Sequence, residues 1–122
     1  MNHVQEQQIT VSTDADLILL RQMLRQCART MALTPSQQAR VTAAVSEVVR
    51  ALICQLSSST ITIHCDDSDI HHALVIECEA ESEAYHRATR QADVQTAYTL
   101  VDEVKVQQSP LGCHLAMKMR AR

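Results

Sequence analysis

The stretch Thr34-Pro35-Ser36-Gln37-Gln38-Ala39-Arg40-Val41-Thr42-Ala43-Ala44-Val45-Ser46-Glu47-Val48-Val49-Arg50-Ala51-Leu52, continued after Ser57-Ser58-Ser59 by Thr60-Ile61-Thr62-Ile63-His64-Cys65, changes its hydrophobic period partway along. Thr34 before Pro35 reads as an N-cap with proline at the first helical position. Val41, Val45, Val48 and Leu52 then recur at the spacing of one helix face. The three serines end that pattern, and Ile61, Ile63 and Cys65 alternate with Thr60, Thr62 and His64 as in a half-buried strand. A long helix therefore feeds directly into a strand that buries one face.

Upstream, Ile9 and Val11 alternate within residues 5–12, and Thr13-Asp14-Ala15-Asp16 offers a cap and an acidic first turn. Leu17, Leu20, Leu24, Cys27, Ala28 and Met31 give a second apolar helix face from Asp14 to about Ala32. Downstream, Asp66 to His71 is a polar turn, after which Leu74, Ile76 and Cys78 alternate as a strand. Glu79 to Arg90 is charged and poor in apolar residues, so no element is assigned there. Val94, Ala97, Leu100 and Val101 predict a short helix from about Ala92 to Asp102. Val104 to Gln108, the turn Ser109-Pro110-Leu111-Gly112 and Cys113 to Arg120 read as a terminal hairpin with Leu115, Met117 and Met119 facing inward. The expected order is βααββαββ. It implies an α+β fold: a two-layer sandwich whose mixed, mostly antiparallel sheet is covered on one face by helices. The 122 residues fit one domain, residues 1–122, with one core.

Composition narrows the function. Hydrophobic residues make up 46% of the chain, yet Phe and Trp are absent and Tyr85 and Tyr98 are the only aromatics, so stacking platforms for bases are scarce. A formal net charge of −3 supplies no global attraction to nucleic acid or anionic membrane. The five cysteines, Cys27, Cys54, Cys65, Cys78 and Cys113, are odd in number and lie in apolar runs, which reads as reduced, buried residues. No apolar run reaches membrane-span length, and the polar start Met1 to Gln8 lacks the order of a signal peptide. A cytoplasmic location is expected. Gly112 is the single glycine, so no glycine-lined phosphate loop can be written.

Ala44-Val45-Ser46-Glu47-Val48-Val49-Arg50, with Leu100-Val101-Asp102-Glu103-Val104-Lys105-Val106 and Ser109-Pro110-Leu111-Gly112 farther on, resembles the GHKL (Bergerat-fold) ATPases, most of all the bacterial anti-sigma-factor and switch-protein kinases of the RsbW/RsbT type. The resemblance runs over roughly residues 5 to 120. It implies a glutamate at Glu47 that orients the attacking group, and a magnesium-ligating asparagine four residues later, where this chain has Ala51. A methyl group cannot ligate a hard cation. It also implies an Asp-x-Gly-x-Gly adenine motif, which corresponds here to Cys78-Glu79-Ala80-Glu81-Ser82, and a glycine-rich lid between about Tyr85 and Tyr98, where there is no glycine. Glu77, Glu79, Glu81 and Glu83 stand at alternate positions where a triphosphate would need N–H donors. These departures imply a degenerate member without ATP, metal or other cofactor. It is expected to act as a non-catalytic regulator in a partner-switching, stress-response type pathway.

The resemblance implies partners such as a STAS-domain antagonist, a sigma factor or a PP2C-type phosphatase. The alternative reading keeps a serine/threonine kinase with an atypical ATP site at Glu47, and a further one is a nucleic-acid-binding module. The candidate partner-binding residues are Arg21, Arg25 and Arg29, a basic stripe at i, i+4 spacing opposite the apolar face, with Glu47 and Arg50, which form an expected ion pair. Apolar surface left by an emptied pocket is open to filling by side chains or to homodimer formation. The segment His64 to His72 is dense in potential metal ligands, but alternation sends Cys65 inward and His64 outward, and Asp and Ser suit a turn. Lys118, Arg120 and Arg122 are expected to protect an exposed sheet edge.

Overall fold

The computed structural model describes residues 6–66 and 72–121. The chain runs through β1 (Gln7–Val11), α1 (Asp14–Thr30), α2 (Pro35–Cys54), β2 (Ser59–Asp66), β3 (Ala73–Ala80), α3 (Ser82–Thr89), α4 (Ala92–Tyr98), β4 (Glu103–Ser109) and β5 (Gly112–Arg120). The α+β two-layer reading holds, with two corrections. All strand pairings are antiparallel rather than mixed, in the order β1-β2-β3-β5-β4. The element order also gains α3, in the segment read as having no element.

That helix escapes a search for large apolar residues because its buried side is Ala84, Tyr85 and Ala88, while Glu83 and Arg87 pair on the outside at 3.0 Å. α4 ends at Tyr98, short of the expected Asp102.

Both long helices begin with reciprocal capping. The Thr13 hydroxyl accepts from Asp16 N–H and the Thr34 hydroxyl accepts from Gln37 N–H, and the Asp16 and Gln37 side chains accept from the cap backbones in return. Both also end in the same way. Leu33 N–H donates to Ala28 C=O while Ala32 sits at φ 58°, and Ser57 N–H donates to Leu52 C=O while Leu56 sits at φ 56°. Glycine favours this left-handed position, and here alanine and leucine hold it at the cost of backbone strain.

Alternation along the strands builds the core. Ile61, Ile63, Leu74, Ile76, Cys78, Leu115, Met117 and Met119 face the helices and are buried with Val41, Val45, Val48 and Leu52 of α2 and Leu17, Leu20 and Leu24 of α1. The other sheet face carries no helix. β5 pairs on both sides, with β3 and with β4, so Lys118 and Arg120 do not guard an edge; Arg122 lies outside the described residues. The expected burial of all five cysteines also needs correction. Cys78 and Cys113 are buried, Cys27 and Cys65 are half-buried, and Cys54, on the last turn of α2, is exposed. No disulfide joins any of them among the described residues.

Gly112 opens β5 at φ 145°, and a Cβ there would stand 2.7 Å from the Ala80 carbonyl oxygen. Both the backbone conformation and the close approach of β3 require glycine. Gly112→Ala is expected to lower stability by at least about 1 kcal/mol, read as a lower urea midpoint at unchanged slope.

Candidate functional site

Helices α1 and α2 lie side by side, and between them runs a groove of about 500 Å³ lined by Arg21, Arg25, Pro35, Gln38, Ala39, Thr42, Ala43, Ser46 and Glu47. Short side chains on α2 open it, and α1 supplies its cations. Arg21 is half-buried, on the flank of α1 rather than opposite its apolar face, and its Nε donates to the Ser46 hydroxyl at 3.2 Å. The Thr42 hydroxyl is buried without a hydrogen-bond partner, an arrangement that costs free energy until something supplies one.

The groove unites Arg21, Arg25 and Glu47. Arg29, one turn beyond Arg25, is exposed and donates to the Arg25 carbonyl at 3.4 Å, outside the groove lining. Arg50 also lies outside it and reaches Glu47 at 3.5 Å, the expected pair.

Charge pairing separates this stripe from most other cations, although Arg40 and Arg90 share its lack of a carboxylate partner among the described residues. Arg87, Lys105, Lys118 and Arg120 each hold a carboxylate within 2.8–3.4 Å. Among the described residues, Arg21, Arg25 and Arg29 have no carboxylate partner, although three guanidiniums one turn apart repel one another.

Between α2 and the α3–α4 pair the volume is filled. Ala84, Tyr85 and Ala88 of α3 and Val94 and Ala97 of α4 join the buried side of α2 in the core. The Tyr85 and Tyr98 hydroxyls meet at 2.7 Å, and burial, with that hydrogen bond, holds the Tyr98 phenol well above its ordinary pKa. Ala51 is buried in this core, whereas Glu47 lines the α1 groove. Burial pushes the Cys78 thiol up to about 12 and raises Cys113 and Cys27, which disfavours the thiolate needed for reaction.

Of the alternating carboxylates Glu77, Glu79, Glu81 and Glu83, the first two turn away from the helix layer and the last two begin α3. Because Ile76 and Cys78 face the helices, Glu77 and Glu79 face the other way, on the uncovered sheet. There Glu77 takes His64 Nε2 on Oε2 at 3.0 Å and His114 Nε2 on Oε1 at 3.1 Å, and Glu79 stands 3.6 Å from His114 Nδ1. The two imidazoles reach Glu77 from opposite diagonals of the sheet, so the carboxylate bridges them across three strands rather than joining them in one coordination sphere. No group of three or more His, Cys, Asp or Glu residues fit for a metal ion occurs among the described residues. Most of the suspected His64 to His72 cluster, residues 67–71, lies outside them.

Sequence reading missed the His64–Glu77–His114 bridge and the buried Thr42 hydroxyl. The alternation of Glu77 with core residues was a usable signal for the first, but strand register was needed to name the partners.

No family model and no curated protein sequence matches this chain. No helix among the described residues is long and apolar enough to cross a membrane.

The same sheet face sets one pH response. Lys105, through its hydrogen bond and charge, and Arg120 hold the Glu103 carboxyl below its ordinary 4.5. A depressed folded-state pKa adds stability that is present above 4.5 and lost as pH falls through the folded value. Melting temperature is therefore expected to fall on acidification below 4.5, and the fall should be smaller in Glu103→Gln, compared by thermal scans at neutral and acid pH.

Proposed function

We propose that the protein is a non-catalytic regulator that binds a protein partner stoichiometrically through the α1–α2 groove, on a Bergerat-type scaffold that has lost its ATP site. The observation that carries this reading is the stripe Arg21, Arg25 and Arg29, three guanidiniums without carboxylate partners among the described residues, beside a groove with an unsatisfied Thr42 hydroxyl. Forked guanidiniums on a rigid helix suit carboxylates of a partner, which would relieve the repulsion along the stripe. Partners of the partner-switching kind, a STAS-domain antagonist, a sigma factor or a PP2C-type phosphatase, meet that description in a cytoplasmic setting. Control would come by competition for the groove rather than by phosphoryl transfer.

Against ATP, the support is the filled volume between α2 and α3–α4, the buried Ala51 at the magnesium-ligand position, and the absence of glycine from 80–99. Calorimetry with Mg²⁺-ATP should give no saturable heat up to millimolar nucleotide. Submillimolar binding abolished by Glu47→Ala would instead establish the kinase alternative.

The Arg21→Ala, Arg25→Ala, Arg29→Ala triple variant tests the surface itself. It should stay folded with stability lowered by no more than about 1–2 kcal/mol, since Arg25 and Arg29 are exposed and Arg21 gives up one part-buried hydrogen bond to Ser46, and lose tenfold or more in affinity for the acidic partner. Unchanged capture of that partner would remove the stripe from the interface. Because phosphates also attract unpaired arginines, the same titration is run with duplex and single-stranded DNA. Binding that weakens steeply with salt would favour the nucleic-acid reading.

A further inference from the structure

Two hydroxyls on the lining of the α1–α2 groove hold hydrogens that nothing accepts. Ser46 is 4% exposed; its oxygen accepts from Arg21 Nε at 3.2 Å, and its own hydrogen meets no acceptor among the described residues. Thr42, one turn earlier on the same side of α2, is 7% exposed, and its hydroxyl has no hydrogen-bond partner of either kind. Polar groups buried this far are ordinarily paired, and a bound ligand is one way to complete them. On a helix, threonine divides between two χ1 wells. A change of well re-aims the hydroxyl, here into the groove that the Thr42 side chain lines.

The cations beside them are equally uncommitted. Arg21 spends only Nε on Ser46, which leaves both terminal nitrogens, and the exposed Arg25 guanidinium makes no hydrogen bond among the described residues. Glu47, the one carboxylate on the lining, faces Arg50 at 3.5 Å. At its far end the groove reaches Pro35, at the positive end of α2, whose first turn holds no Asp or Glu. Ala39 and Ala43 are exposed and carry only methyl groups, so an extended segment can cross α2 with one side chain directed between the helices.

The shape of this donor set selects among anions. A carboxylate offers two oxygens in one plane, which a single guanidinium satisfies, leaving the second arginine and both hydroxyls unmatched. A phosphomonoester carries about −1.5 to −2 charges at neutral pH and three acceptor oxygens in tetrahedral directions. Two of these suit forked guanidiniums, and the third suits the hydroxyls. The diester of a nucleic acid, with one charge and two free oxygens, fits the set less well. On the reading of the groove as a partner-binding site, on which this inference rests, we propose that the group it recognises is a phosphorylated serine or threonine of the partner, held by Arg21, Arg25, Thr42 and Ser46.

Nuclear magnetic resonance titration of the full chain tests this. The probes are an end-capped Ala-Ala-phosphoserine-Ala-Ala peptide, its Ser and Asp counterparts, inorganic phosphate and a thymidine trinucleotide. The phosphoserine peptide should shift the Thr42 and Ser46 amides and the Arg21 and Arg25 Nε signals, saturating in the millimolar range expected for one small group. The Asp peptide, inorganic phosphate and the trinucleotide should bind at least tenfold more weakly, and the Ser peptide should not bind. Arg25→Gln should weaken the phosphoserine peptide tenfold or more, and Arg87→Gln, which removes the same charge from α3, should leave it within twofold. Thr42→Val should weaken it fivefold or more while its urea midpoint stays equal or rises, because no buried hydroxyl is left unpaired; that loss then cannot come from unfolding. Absence of saturable shifts with the phosphoserine peptide, equal affinity for any of the other anions, or full affinity in Thr42→Val would each overturn the proposal. Failure of the partner reading itself shows separately, as unchanged partner capture by the triple arginine variant, whatever the peptides do.

Discussion

Helix α2 sets the terms for every other element. Its buried residues, from Gln37 and Val41 through Ala44, Val45, Val48 and Val49 to Leu52, cover far more than the single stripe a surface helix needs. One side of that arc meets the sheet, another meets α1, and a third meets α3 and α4. Alanine, serine and valine make this possible, because short side chains let several neighbours approach one helix at packing distance. At its start, Gln37 caps the helix and its Nε2 donates to the Arg120 carbonyl at 2.6 Å, which ties the first turn of α2 to the end of β5. A chain without Phe or Trp has to fill its interior with aliphatic side chains, and a central helix contacted on several sides is one way to do so.

Charge is distributed very unevenly over this scaffold. On the uncovered sheet face, Asp66, Glu77, Glu79 and Glu103 are matched by Lys118, His64, His114, Lys105 and Arg120, so the face is close to neutral within itself. Exposed pairs of this kind add little stability each. They do leave few charges in search of a partner. The α1 stripe is the contrast: its arginines hydrogen-bond to Ser46 and to a backbone carbonyl but meet no carboxylate among the described residues. This difference, more than the arginine spacing alone, supports a role for α1 in recognition.

The scarcity of glycine shows in two places. Phosphate-binding loops cannot be built, and the ordinary left-handed ends of helices fall to Ala32 and Leu56. The one glycine retained is where no substitute fits, under the Ala80 carbonyl. The single glycine thus serves chain geometry.

What the sequence by itself determined was local. The caps at Thr13 and Thr34, the apolar faces of α1 and α2, the alternation of β2, β3 and β5 and the hairpin turn at Gly112 all come from neighbours two to four residues apart, which set period and termination directly. The paired Glu47 and Arg50 belong to the same class. α3 was hidden because its inward side is mostly alanine, which carries a weak periodic signal. Tertiary structure decided which distant residues meet. It placed β5 inside the sheet, turned Glu77 and Glu79 away from the helices, set Glu77 between His64 and His114, and brought the Ser46 hydroxyl to Arg21. Strand order and register come from packing the whole core, and a row of alternating residues carries no mark of which strand will lie beside it.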